Sequence, residues 1–188
     1  MPASSPVTTI DELLALPEDG QRHELLDGAH VVTPAPSYPH QVVLQRLFQA
    51  INEAVRDAPS RVLWSPADIR LNPRTLVQPD LFIIKDEDGS LDKSWTDVGV
   101  PLLAVEILSP STAARDRGIK RKLYFEAGVE EYWIVDLDAR LIERWRRGDE
   151  RPEILGEQLP WQLDMGVEGV VNVEDLFVGM PEGHAGQA

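Results

Sequence analysis

The stretch PLLAVEILSPST, residues 101–112, holds five apolar residues among the six from Leu102 to Ile107, and the exception is Glu106. An apolar run of that length reads as a strand covered on both faces, so the chain must build a sheet with a layer packed on either side. A lone carboxylate inside such a strand is costly to desolvate unless a partner offsets it. The partner is either a structural ion pair or a metal ion, and that choice frames the functional question.

The rest of the chain supplies the layers. TIDELLAL opens a short helix, with Thr9 and Glu12 at capping-box spacing. RHELLDGAHVVTP reads as a hairpin around the Asp27-Gly28 turn signal. From about Pro39 to Ala58 a longer helix carries Val43, Leu47, Ile51 and Val55 on one stripe. Strands are expected at Arg61–Trp64, Ala67–Leu71, Gln78–Ile84 and Leu102–Leu108, separated by Ser-Pro, Asn-Pro and an acidic loop over 85–100. A helix follows, with Asp116 as its expected N-cap and Gly128 just past its end. EYWIVD and RLIERWRR then read as a strand pair joined near Asp138, and the remainder to Phe177 is a weaker mixture. This order predicts an α/β fold, a central mixed sheet flanked by helices. One domain is expected over 9–178, between a disordered N-terminus (1–8) and a loose C-terminal tail (179–188).

Charge and cysteine content exclude several functions. The 188 residues include no cysteine, so a disulfide framework and a thiolate metal site are both ruled out. The formal net charge of −14 argues against general affinity for a polyanion. Two local stretches run the other way: residues 111–125 carry five basic side chains against one acidic, and residues 140–151 carry five against three. They either form solvated faces or hold a phosphate backbone weakly. The first twenty residues show no signal-peptide core, and no apolar stretch approaches membrane-spanning length. A cytoplasmic protein with no membrane partner is expected.

Three residues line up as a candidate site. Asp80 follows a proline at the start of the apolar QPDLFII, Glu106 lies 26 residues on, and Lys120 lies 14 residues further, on the next helix. Helical side chains lean toward the N-terminus, which points Lys120 back toward the Glu106 strand. If the strands of Asp80 and Glu106 are neighbours, about 4.8 Å apart, the two carboxylates can share one cation. Two hard oxygen ligands with open water positions suit Mg²⁺, and Mn²⁺ can substitute. A nearby ammonium then orients the attacking water or neutralises charge on a phosphoryl oxygen.

Over roughly residues 9–178 the chain resembles the Uma family of restriction-endonuclease candidates, within the PD-(D/E)xK nuclease superfamily. The resemblance rests on HELLDG (23–28), PSYPH (36–40), QPDLFII (78–84), AVEILSPST (104–112) and DRGIKRKLYFEAGVEEYWIVD (116–136). It implies a restriction-endonuclease-like fold and a Mg²⁺-dependent phosphodiester hydrolase acting on DNA, with a 5′-phosphate product and often a homodimer. It implies Asp80 and Glu106 as metal ligands, with the backbone carbonyl of Ile107 as a further one, and Lys120 as the catalytic lysine. It also marks Glu24, in the ELxDG signature, as an accessory acidic group, and His40 as a residue that meets a phosphate. One departure stands out: the lysine expected two residues after the glutamate is Leu108 here, and Lys120 takes its place from the following helix.

Each residue has a simpler reading. Asp80 can cap a turn, Glu106 can pair with Lys120 itself, and Lys120 can belong to a solvated basic face. Glu24 can pair with Arg22, and His40 can sit in solvent at a helix start. Asp116 reads as a cap, and Tyr124 and Trp133 as core. Two rival functions follow. One is a non-catalytic binding or regulatory protein, favoured by the acidic charge and the missing motif lysine. The other is a hydrolase of RNA or small phosphorylated molecules.

Overall fold

A computed structural model describes residues 7–95 and 98–181. The expected disordered segment 1–8 and loose tail 179–188 lie mostly outside those residues. Within them, Val7 packs on the small cluster of Ile10, Leu13, Leu25 and Leu76. At the other end, Arg140 Nη2 donates to the Met180 carbonyl at 2.8 Å.

Helix α1 (Ile10–Leu14) starts at the expected capping box: the Glu12 N–H donates to Thr9 Oγ1, and the Thr9 N–H to Glu12 Oε2. Strands β1 (Arg22–Leu26) and β2 (Ala29–Thr33) form the hairpin. Its turn residues Asp27 and Gly28 both have positive φ, 49° and 82°, as the tight turn requires. β5 (Thr75–Val77) joins β1 to β4 (Ile69–Asn72), which completes a four-stranded antiparallel sheet in the order β2-β1-β5-β4.

The larger sheet has six strands in the order β10-β9-β8-β7-β6-β3. These are β3 (Ser60–Trp64), β6 (Leu81–Lys85), β7 (Leu103–Ile107), β8 (Glu131–Asp136), β9 (Leu141–Arg146) and β10 (Glu153–Leu155). Every residue of β7 is buried, as its apolar run predicts. The pairing β7–β8 is parallel and the others are antiparallel, so the sheet is mixed. A parallel pair needs a crossover, and residues 113–127 provide it as α3 (Ala113–Arg115), a π-helical turn (Asp116–Lys120) and α4 (Arg121–Ala127).

Two layers cover the large sheet. On one face α2 (Tyr38–Val55) lays down Val43, Leu44, Leu47, Ile51 and Val55 against Leu81, Ile83, Leu103, Val105 and Trp133. The ribbon of β11 (Gln158–Leu163) and β12 (Val167–Asn172), with the short α5 (Val173–Leu176), joins the same cluster. On the other face Phe82, Ala104, Tyr132 and Ile134 meet Leu123 and Tyr124 of α4 and apolar residues of the small sheet, Leu26, Ile69 and Val77 among them. Glu106 therefore points toward α4, between the two sheets.

Two expectations need correction. The strand expected over 78–84 begins at Leu81, and a separate strand, β5, ends at Val77; the Gln78-Pro79-Asp80 link carries the chain from the small sheet to the large one. Pro79 lacks an N–H and cannot continue a ladder, which places the break there. The crossover helix also starts earlier than expected. Asp116 is not its cap but an interior residue, 2 % exposed. Thr112 Oγ1 accepts from the Ser109 N–H instead and closes the preceding turn.

Candidate active site

The register Leu81↔Val105 makes β6 and β7 antiparallel neighbours, and continuing it by one residue sets Asp80 across from Glu106. The neighbouring strands that the sequence argument required are therefore present. Asp80 Oδ2 accepts the Ile107 N–H at 2.8 Å and lies 3.1 Å from His40 Nε2, in the first turn of α2. Arg22, from β1, reaches Asp80 Oδ1 at 2.6 Å and donates to the Gln78 carbonyl as well. Burial alone would raise the Asp80 pKa. The hydrogen bond and charge of His40, the Arg22 guanidinium and the Ile107 amide outweigh it and hold the carboxyl well below its ordinary value.

Glu106 faces Lys120. The ammonium lies 2.6 Å from Glu106 Oε1 and 2.8 Å from Glu24 Oε1, and Tyr124 Oη donates to Glu106 Oε1 at 2.8 Å. Glu24 also accepts the Gln78 N–H at 2.8 Å. One ammonium thus serves two carboxylates, which take up the strain differently. Burial raises Glu24, but Lys120, the Gln78 amide and Arg22 more than reverse that and leave its pKa lowered. Burial pushes Glu106 up to about 8 against the pull of Lys120, with Asp116, Asp80 and Glu24 adding to the rise. Burial also raises Asp116, despite Lys120, a Thr112 hydrogen bond and Arg115. Lys120 itself is held charged: burial opposes the charge, and Glu106, Glu24 and Asp116 overcome that opposition.

All five expected side chains, Asp80, Glu106, Lys120, Glu24 and His40, line one cleft of about 700 Å³, and Ile107 lines it too. The Ile107 group that touches the cluster is its N–H; the carbonyl proposed as a ligand is a separate matter. Three further members were given only background roles. Arg22 stands two residues before Glu24 on the same strand face, so the period of two was a signal for it. Asp116 and Tyr124 flank Lys120 at four residues on either side, the spacing of helical neighbours. Tyr124, expected in the core, is fully buried, and its hydroxyl serves the cluster.

The donor set fits a hard divalent cation in its chemistry. Four carboxylates line the cleft floor, and Glu24 Oε2 and Asp116 Oδ1 are buried without a hydrogen-bond partner. It is not pre-arranged as a cage. Among the described residues no three His, Cys, Asp or Glu side chains are grouped to hold a metal ion, and Lys120 and Arg22 occupy the positions of countercharge.

With this geometry in place, comparison with known proteins is decisive for the family. The model of the Uma2 family, described as "Putative restriction endonuclease", matches residues 10–174. The chain belongs to the Uma2 family. Two Synechocystis proteins are similar to this Uma2 chain. The uncharacterized protein slr1290 is 28% identical over 132 residues, 69% of this chain and 68% of the relative. The uncharacterized protein sll1609 is 24% identical over 160 residues, 82% and 89% of the two. A crystal structure from Anabaena variabilis, described as "a putative nuclease belonging to DUF820", superposes with a TM-score of 0.74 at 21% identity. It covers 90% of this chain and 97% of that one, and the likeness establishes the nuclease-type fold. Among the described residues no helix is long and apolar enough to cross a membrane.

Proposed function

We propose that this Uma2 protein is a Mg²⁺-dependent endonuclease that hydrolyses phosphodiester bonds in DNA. The observation that carries the reading is that Asp80, one residue before β6, stands across from Glu106 of the neighbouring β7, with Lys120 against Glu106 in the same cleft. Asp80 and Glu106 hold the metal, with the Ile107 carbonyl as a further ligand and Mn²⁺ as a substitute. When bound, the ion supplies positive charge that polarises a phosphate and acidifies a water. Lys120, released from one of its two carboxylates, donates to a phosphoryl oxygen as negative charge develops there. Arg22 and His40 keep Asp80 ionised and aimed into the cleft. Tyr124 fixes one oxygen of Glu106, leaving the carboxylate a single orientation. The same reading carries 5′-phosphate products and a homodimer, as the family resemblance implies.

A second reading has one specific observation behind it. Both oxygens of Asp80 are hydrogen-bonded, and Lys120 already engages both Glu24 and Glu106, as in a protein that keeps the fold for binding alone. Titration calorimetry with Mn²⁺ separates the two. Wild type is expected to bind the ion with a heat that the Asp80→Asn/Glu106→Gln double variant loses, and to gain thermal stability by mass action. Identical heats in the two proteins would move the site elsewhere. A flat titration of wild type, with no cleavage of any nucleic acid, would favour the binding protein.

A further inference from the structure

The residues of the proposed hydrolase lie at the bottom of their cleft. Glu24, Asp80, Glu106 and Lys120 are 0%, 3%, 3% and 1% exposed, yet all of them line it. Two rims flank the opening: residues 34–37, which follow β2, and residues 109–111, which follow β7. Next to these segments, Arg115 Nη2 donates to Thr33 Oγ1 at 2.8 Å. The cleft volume of about 700 Å³ falls among pockets that enclose a small ligand. A stiff double helix cannot lower a phosphate to such a floor without parting the rims, whereas a flexible strand can bend one nucleotide in.

Charge points the same way. The lining side chains include six acidic and four basic residues. Lys120 is held by two carboxylates, and Arg117 is held by Asp136 and Glu143. Arg22 is paired with Asp80 and Arg115 Nε lies 3.9 Å from Asp116 Oδ1, yet each keeps a spare donor: Arg22 Nε and Arg115 Nε are buried with no hydrogen-bond partner. Two such donors suit one or two phosphates, not a duplex that carries a charge about every 1.7 Å of its axis. Tyr38, between the lining residues Ser37 and Pro39, is 82% exposed. It leaves an aromatic face at the rim, the kind of surface on which unpaired bases stack.

Resting on the hydrolase reading above, we propose that the substrate is single-stranded nucleic acid. One nucleotide enters the cleft, its phosphate meets Arg22 and Arg115, and a neighbouring base stacks on Tyr38. The test is fluorescence anisotropy of the full chain with short labelled DNA and RNA single strands and the matching DNA duplex, at low salt. Single strands are expected to bind about tenfold or more tightly than duplex, a margin of the size one stacked base supplies. Tyr38→Ala should lose most of that margin, and Tyr38→Phe should keep it. Comparing the DNA and RNA arms identifies the preferred sugar. Duplex binding equal to or tighter than single-strand binding overturns the proposal, as does an unchanged preference in Tyr38→Ala. Cleavage with Mn²⁺ is scored separately. Single-strand binding without cleavage overturns the hydrolase reading and upholds the strand preference, while cleavage confined to duplex interiors does the reverse.

Discussion

Lys120 and Lys122 stand two positions apart on one helical run and live in opposite environments. The side chain of Lys120 is 1% exposed between Glu24 and Glu106, and that of Lys122 is 72% exposed beside Glu126. Replacing Lys120 by Met leaves two buried carboxylates without their countercharge, so a loss of about 3–5 kcal/mol is expected. Lys122→Ala should stay within about 0.5 kcal/mol of wild type. Glu106→Gln behaves differently from either. The amide oxygen still accepts from Tyr124 and Lys120, Lys120 retains Glu24, and little charge is lost, since a carboxyl pushed up to about 8 is largely protonated at neutral pH. Its stability should lie within about 1.5 kcal/mol of wild type, the scale of one ordinary hydrogen bond. Urea unfolding of the three variants without metal checks the set, and a large loss in Glu106→Gln would mean that the Lys120–Glu106 pair is the main support of the site.

Two glycines test the reading of the elements. Gly28 has φ +82°, and a Cβ there would meet the Arg74 guanidinium at 2.4 Å, whereas Gly118, in the π turn, has open space around it and no positive φ. Gly28→Ala should cost about 1 kcal/mol or more through backbone strain, and Gly118→Ala should gain about 0.5–1 kcal/mol by restricting the unfolded chain. Thermal melts of both decide it. The Asp27-Gly28 turn was legible in the sequence because a hairpin turn is a local matter of allowed φ. The buried stripe of α2 and the apolar run of β7 were legible for the same kind of reason, since each period is written within one element. β5 was not, because three residues hold too short a period to stand out. Asp116 was misread as a cap because a π turn leaves no local signature. The candidate side chains were found by motif and spacing. The pairing of Arg22 with Asp80 joins residues 58 apart in the chain and follows only from tertiary structure.

At the scale of the molecule, α2 is held between the large sheet and the β11–β12 ribbon, and Gly169 marks how closely the ribbon docks. A Cβ added there would lie 2.9 Å from Ala54 Cβ and 3.0 Å from the Trp161 ring. Gly169→Ala is expected to destabilise by about 1–3 kcal/mol, as overpacking does. A fall in the urea midpoint at constant slope would confirm that the ribbon belongs to the same cooperative unit. A change of slope would separate it. The docking of the small sheet has a kinetic consequence. The Lys120 ammonium bridges Glu24 on the small sheet and Glu106 on the large one, so the cluster cannot form until the two sheets meet. Contacts between distant segments carry a loop-closure cost and tend to appear after the folding barrier. Substitutions in the cluster should therefore speed unfolding far more than they slow refolding, which stopped-flow chevrons would register as low φ-values. A nascent or partly unfolded chain then carries the right side chains in the wrong places, and the cluster exists only once the molecule is complete.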